Sequence, residues 1–233
     1  MDPQDAMAMV TSYGCKVFDN QHFVYKSGKH GPAYANVDPV LYQPQALWNI
    51  CGQMAKPWIQ TPQSAYLRPQ IDLVASPAVG GISFGLLVAL IISQNTNTEV
   101  HHVFCEKTDT TESGFAFQRT NFAEECRGKN VLVVEDILNS GVSTGAVIDC
   151  VRAAGGNVVG VCCFVSRGGA TAQSLAVTFF DALIDIDMVQ YEADVCPLCE
   201  THVPMVVDSA LGKGSGWRKD NPTYPGGFVE LLS

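Results

Sequence analysis

Glu135 and Asp136 stand side by side, and shortly after them the chain runs Asn139-Ser140-Gly141-Val142-Ser143-Thr144. An acidic pair next to a small, hydroxyl-rich turn can bind two kinds of group at once. The carboxylates accept hydrogen bonds from neighbouring hydroxyls, and the turn offers backbone N–H groups and the positive end of a helix dipole to a phosphate. Acids alone would repel a polyphosphate at short range. A ligand with sugar hydroxyls and a 5'-phosphate, a 5-phosphoribosyl group, satisfies both halves. A buried strand ending in an acidic helix cap would account for Asp136 but not for two acids followed by Gly, Ser and Thr. No Gly-Lys-Ser/Thr follows, so the pattern is not a Walker loop.

These groups need a rigid frame. Val131 to Val134 are four apolar residues in a row, the pattern of a parallel strand covered on both faces. The acids then fall at the carboxyl end of a central strand, where open α/β sheets place their ligand crevices. After the turn, Ala146, Val147, Ile148 and Val151 give a helix that ends at Gly155-Gly156. Further strands are expected over 71–75, 100–105 and 158–165, with helical regions over 39–58 and after Gly80. Strands alternating with helices imply parallel βαβ crossovers and a central parallel sheet flanked by helices. Residues 60–70 read as a connector. Residues 106–130 read as a long loop, either functional or a solvated hairpin tip, with Lys107 and Arg119 flanking the tip.

Composition narrows the function classes. The chain has 233 residues, 47% of them hydrophobic, enough for a packed core. A net charge of −9 with only 14 Lys plus Arg argues against a nucleic-acid or anionic-membrane binder, so any anionic ligand depends on a few local cations. The apolar run from Gly80 to Ser93 falls short of the roughly 20 residues that span a bilayer. Nine cysteines without a basic leader and cleavage site suggest reduced thiols and a cytoplasmic protein.

The stretch from Val131 to Thr144 resembles the PRPP-binding signature of the type I phosphoribosyltransferases, and other segments extend the likeness in order. HFVYKSGKHGPAYANVD looks like the amino-terminal hood of the orotate enzymes of that family, VASPAVGGISFG like their pyrophosphate loop, and FCEKTDTTESGFAFQR like their mobile loop. FVSRGG and YEADVCPLCETHVPM resemble segments of the same branch. The resemblance implies a type I phosphoribosyltransferase fold with a hood over 1–38 packed on a core over 39–205, followed by a tail over 206–233. It implies that Glu135 and Asp136 bind the ribose hydroxyls and that Asn139 to Thr144 wrap the 5'-phosphate. Ala75, Ser76, Pro77 and Ala78 would face pyrophosphate through backbone amides, in a loop where this family often has a non-proline cis bond. Lys107 and Arg119 would neutralise pyrophosphate, Lys26 would approach the base, and Arg167 would pair with a substrate carboxylate. The activity implied is transfer from PRPP to orotate, giving orotidine 5'-monophosphate, with Mg²⁺ held through PRPP and water rather than directly by the protein. A homodimer with shared active sites is expected, with neither nucleic acid nor membrane as partner. Another nucleobase as acceptor, or a silent PRPP-sensing regulator, would keep the same signature. Lys26 is also compatible with a solvated hairpin edge.

Cys196-Pro197-Leu198-Cys199 has zinc-knuckle spacing with His202 nearby. A structural site needs four ligands and no second Cys-x-x-Cys exists, so the segment reads as a tight turn with two reduced thiols. Residues 217–233 read as an irregular tail.

Overall fold

The structure is a computed structural model that describes residues 3–18, 20–25, 27–59, 68–111, 114–186, 188–207 and 214–230. The chain forms two compact units, one of residues 1–13 and 40–185, the other of residues 14–39 and 186–233.

The first unit contains, in chain order, α1 (Pro3–Ser12), α2 (Pro44–Ala55), β1 (Leu73–Pro77), α3 (Gly80–Asn95), β2 (His101–Lys107), β3 (Phe115–Ala116), α4 (Phe122–Cys126), β4 (Asn130–Leu138), α5 (Val142–Ala153), β5 (Asn157–Ser166) and β6 (Phe179–Asp185). The strands make one six-stranded sheet in the order β6-β5-β4-β1-β2-β3, parallel except for β3. Val131, Val133, Ala75, Val161 and Cys163 pack on one side with Val147, Ile148 and Val151 of α5. Their alternates point the opposite way, as the two-residue period of a strand requires. There Phe164 stacks on Phe84 of α3 at 5.5 Å, and the Cys162 thiol reaches the Met54 carbonyl of α2. Helices thus cover both faces, which is why β1, β4 and β5 are apolar without alternation.

The second unit is held by short pairings. Lys16–Phe18 runs antiparallel to Tyr34–Asn36, Phe23–Val24 antiparallel to His30–Gly31, and Met205–Val206 parallel to Phe228–Val229. Bridges join His22 to Met205 and His30 to Tyr191, tying the amino-terminal segment to the carboxyl-terminal one.

Three expectations change. The core ends at Asp185 rather than at 205, because the chain from Ile186 onward pairs with residues 14–39, while α1 belongs with the core and not with the hood. The loop over 106–130 contains a hairpin, with Glu106 opposite Ala116 and Lys107 opposite Phe115, and then α4. The tail carries a helix at Ser215–Asp220 and the strand at Phe228–Val229. Strand β6 was missed altogether. It is an edge strand, anchored where Asp181 pairs with Arg68, whose guanidinium lies between Trp58 and Phe179. All nine cysteines are free thiols. Among the described residues no helix is long and apolar enough to cross a membrane.

Candidate active site

Four neighbouring parallel strands, β5, β4, β1 and β2, bring their carboxyl ends together, and the expected core residues lie at or just beyond those ends. The end of β4 carries Glu135 and Asp136. Adjacent residues on a strand face opposite ways, so the two acids differ in surroundings. Glu135 is buried, and its Oε2 accepts a 3.0 Å hydrogen bond from the Thr144 hydroxyl. Burial, and secondly the Asp136 charge, push its carboxyl up to about 9. At neutral pH Glu135 therefore carries a proton. That eases the conflict between an acidic pair and a neighbouring phosphate.

Asp136 is half-buried and accepts the Ile137 N–H at 2.7 Å. Gly80 lies directly against it, since a Cβ there would fall 2.1 Å from Asp136 Oδ2. Gly81 is also close-packed, with a Cβ falling 3.0 Å from Pro77 Cδ and 3.2 Å from the Val134 carbonyl oxygen. The two glycines let the start of α3 approach the end of β4.

Beyond β4, residues Asn139 to Thr144, with Glu135, Ile137 and Leu138, line a hollow of about 90 Å³. Gly141 takes φ +80° before α5, a conformation that favours glycine, and a Cβ there would sit 3.0 Å from Leu175 Cδ2. The first N–H groups of α5, beginning at Val142, have no acceptor within the helix and point out of its end. Asn139 and Ser140 are exposed and Ser143 is half-buried. Thr144 differs from expectation, because its hydroxyl is buried and donated to Glu135 rather than turned to a phosphate.

Ala75 to Ala78, expected to face pyrophosphate through backbone amides, have those amides largely taken up by the sheet. Ala75 and Ser76 lie in the parallel ladder, Pro77 has no N–H, and the Ala78 N–H is bonded to the Cys105 carbonyl at 2.8 Å. Ser76 is fully buried, with its hydroxyl 2.9 Å from His102 Nε2. Burial lowers the pKa of that imidazole to about 4, so His102 braces the loop from beneath as a neutral ring. Val79, Gly80 and Gly81 follow at the start of α3, where the first N–H groups of a helix have no acceptor within it. The Ala78–Val79 peptide is cis. Gly80 and Gly81 were visible in the sequence only as glycines before a helix; their approach to β4 was not.

Three cations were expected in the core. Arg167 follows β5, its N–H bonded to the Leu138 carbonyl at 2.8 Å and its Nη1 3.5 Å from Asn139 Oδ1, beside the hollow. Lys107 is exposed at the end of β2. Arg119 is exposed and held by Glu106 through a bidentate pair at 3.0 and 2.8 Å, with its guanidinium over Phe104. Lys26 lies outside the described residues.

Residues 41–196 match the phosphoribosyl transferase domain family. An orotate phosphoribosyltransferase from Desulforamulus reducens is 31% identical over 206 residues, covering 88% of this chain and 96% of its own. Among solved structures, orotate phosphoribosyltransferase from Aeropyrum pernix superposes with a TM-score of 0.55 at 17% identity, covering 77% of this chain and 92% of that one. Adenine phosphoribosyltransferase from Rhodothermus marinus gives a TM-score of 0.54 at 16% identity, covering 78% and 99%. The chain belongs to the phosphoribosyltransferase family and has the type I fold of that family. The protein is therefore an enzyme of the glycosyltransferase class.

Proposed function

We propose that the protein transfers the 5-phosphoribosyl group of PRPP to orotate, forming orotidine 5'-monophosphate and pyrophosphate. The observation that carries the reading is the near end-to-end likeness to an orotate phosphoribosyltransferase, 31% identical over 96% of that relative, on top of the β4–α5 site. The hollow at Asn139 to Thr144 takes the 5'-phosphate, and Asp136 beside a protonated Glu135 takes the ribose hydroxyls. Val79 to Gly81 face the pyrophosphate through their N–H groups. Displacement at the anomeric carbon by orotate N1 passes through a cation-like sugar, so no protein nucleophile is needed. The chain supplies position and preorganised charge.

Mg²⁺ fits the donor set, since Asp136 is a hard oxygen donor at the edge of the crevice and could hold the ion through water, where it would act as Lewis acid on PRPP oxygens. Arg167 offers a planar fork that matches a carboxylate, and Lys107 offers charge for pyrophosphate. A homodimer sharing the hairpin between subunits is part of the same reading.

A second acceptor stays in play because an adenine enzyme has nearly the same TM-score as an orotate one. The test is a spectrophotometric assay with PRPP, Mg²⁺ and orotate, run beside uracil, hypoxanthine, guanine and adenine. Use of orotate alone is the expected result, and use of a different base instead would replace the acceptor. Arg167→Ala should lower kcat/KM for orotate by roughly a hundredfold, the scale of a lost charged pair, while PRPP still binds. Unchanged orotate turnover would remove Arg167 from the base site. Silence with every base would leave a PRPP-sensing protein.

A further inference from the structure

Away from the phosphoribosyl site, His22, His30, Cys196 and Cys199 converge inside the second unit. Each turns one ligand atom inward, and the four atoms lie within 4.8 Å of one another. His22 Nε2 is 3.1 Å from His30 Nδ1, and His30 Nδ1 is 3.2 Å from Cys199 Sγ. Both Cys196 Sγ and Cys199 Sγ are 3.7 Å from His22 Nε2. Tetrahedral zinc, bonded at ~2.0 Å to nitrogen and ~2.3 Å to sulfur, spaces its ligand atoms by roughly 3.3–3.8 Å. Two of the four spacings fall within that range and two lie 0.1–0.2 Å below it, so the atoms are grouped on the scale of a single ion's ligand shell.

The surroundings suit a metal as well. His22 and His30 are fully buried, Cys196 is 3% exposed and Cys199 is half-buried, a costly place for the two imidazoles unless something binds them. His22 Nδ1 lies 3.0 Å from the Val203 carbonyl, so Nδ1 donates there and Nε2 presents its lone pair to the cluster. The Tyr224 hydroxyl lies 2.8 Å from the same carbonyl. Trp217 meets the His30 ring edge to face at 5.4 Å, and Tyr224 meets His22 at 6.0 Å, so the tail caps the cluster.

We propose that the second unit holds a structural zinc ion, ligated by His22 Nε2, His30 Nδ1, Cys196 Sγ and Cys199 Sγ. A set of two imidazole nitrogens and two thiol sulfurs is a donor set that suits zinc. Four protein ligands leave no open position, so the ion is structural and not catalytic. It overturns the reading of Cys196 and Cys199 as a bare turn. The missing pair was not a second Cys-x-x-Cys but two histidines from the opposite end of the chain, with His22 lying 174 residues from Cys196. His202, the nearest histidine in sequence, is exposed and outside the cluster. The ion also gives a small unit of two- and three-residue strands the cross-link its core lacks. It fastens His22 and His30, the residues on either side of the stretch that contains Lys26.

The test uses the full chain, expressed with zinc in the medium and analysed for metals after desalting. About one zinc per chain is expected. Exchange with Co²⁺ should give the visible bands of tetrahedral cobalt and a sulfur-to-metal charge-transfer band, both lost in Cys199→Ser and kept in His202→Gln. Chelator should lower Tm by several degrees, restored by Zn²⁺ but not by Mg²⁺. If Cys199→Ser does not fold, the stoichiometry and the cobalt spectrum of the unaltered protein decide alone. Sub-stoichiometric zinc with no response of Tm to added Zn²⁺ would overturn the proposal. So would zinc retained in full by a folded Cys199→Ser, or another metal filling the site.

Discussion

At Gly80 the absence of a side chain decides where Asp136 sits. A methyl group there would fall 2.1 Å from Asp136 Oδ2, and the carboxylate is the part that can yield, being the end of a side chain. Gly80→Ala should therefore displace Asp136 and leave the fold intact. We expect kcat/KM to drop by about a hundredfold, with Tm changed by no more than ~2 °C. Equal losses of Tm and activity would mean that the helix itself had been pushed off the sheet. Glu135 makes a different prediction, through its proton. The folded chain keeps that proton up to about pH 9, whereas an unperturbed glutamate loses it near 4.5. Unfolding between those values releases a proton, so the contribution of Glu135 is whole below the lower value and declines as pH rises toward the upper one. Glu135→Gln removes the titration while keeping an acceptor for Thr144. The decline in Tm of the ligand-free protein between pH 5 and 9 should flatten in this variant, with Tm at pH 8 higher by a few degrees. An unchanged slope would show that Glu135 ionises normally.

Among the elements, the β2–β3 hairpin holds a cation in reserve. Arg119 is paired with Glu106 and lies over Phe104, yet it is exposed, and exposed pairs contribute only about 0–1 kcal/mol. Arg119→Ala should shift Tm by less than ~3 °C. If Arg119 leaves Glu106 for pyrophosphate during turnover, the same change should lower kcat at least tenfold, while Glu106→Gln keeps both values near those of the parent. Arg119→Ala with normal kcat and a lower Tm would reduce Arg119 to a staple of the hairpin. This hairpin also shows why some elements were legible in the sequence and others were not. Val131 to Val134 announced β4 because a strand buried on both faces leaves a continuous apolar run, and the spacing of Ala146, Val147, Ile148 and Val151 marked α5. The polar tip at Thr108 to Gly114 gave no such pattern, and the pairing of Lys107 with Phe115 depends on partners outside the local sequence. Strand β6 was hidden for the same reason, since at the sheet edge it carries Asp181 toward Arg68 and mixes polar with apolar positions. That the Ala78 N–H is taken up by the Cys105 carbonyl depends on the register of β1 against β2, which cannot be read from periodicity. Histidine and cysteine ligands far apart in the chain carry no local signal at all.

For the molecule as a whole, the resemblance leads to a homodimer in which each active site borrows the hairpin of its partner. Sedimentation should give a dimer at micromolar concentration. A monomer with full activity would end the idea, but a dimer alone would not show sharing, because symmetric pairs form for many reasons. Complementation separates the two. Lys107→Ala removes the hairpin cation and Asp136→Asn removes the acid proposed to bind the ribose, and each variant alone should be nearly inactive. If Lys107 serves the partner's site, a mixed dimer has one site with both defects and one with neither. Random exchange of equal amounts makes half the dimers mixed, so about a quarter of the sites, and of the parent activity, should return. If Lys107 serves its own subunit, every site in the mixture keeps one defect and activity stays at the level of the separate variants. The result needs subunits that exchange, which a tagged parent mixed with an untagged parent can establish beforehand. Recovery to a quarter would place the hairpin across the interface, and none under proven exchange would confine each site to a single chain.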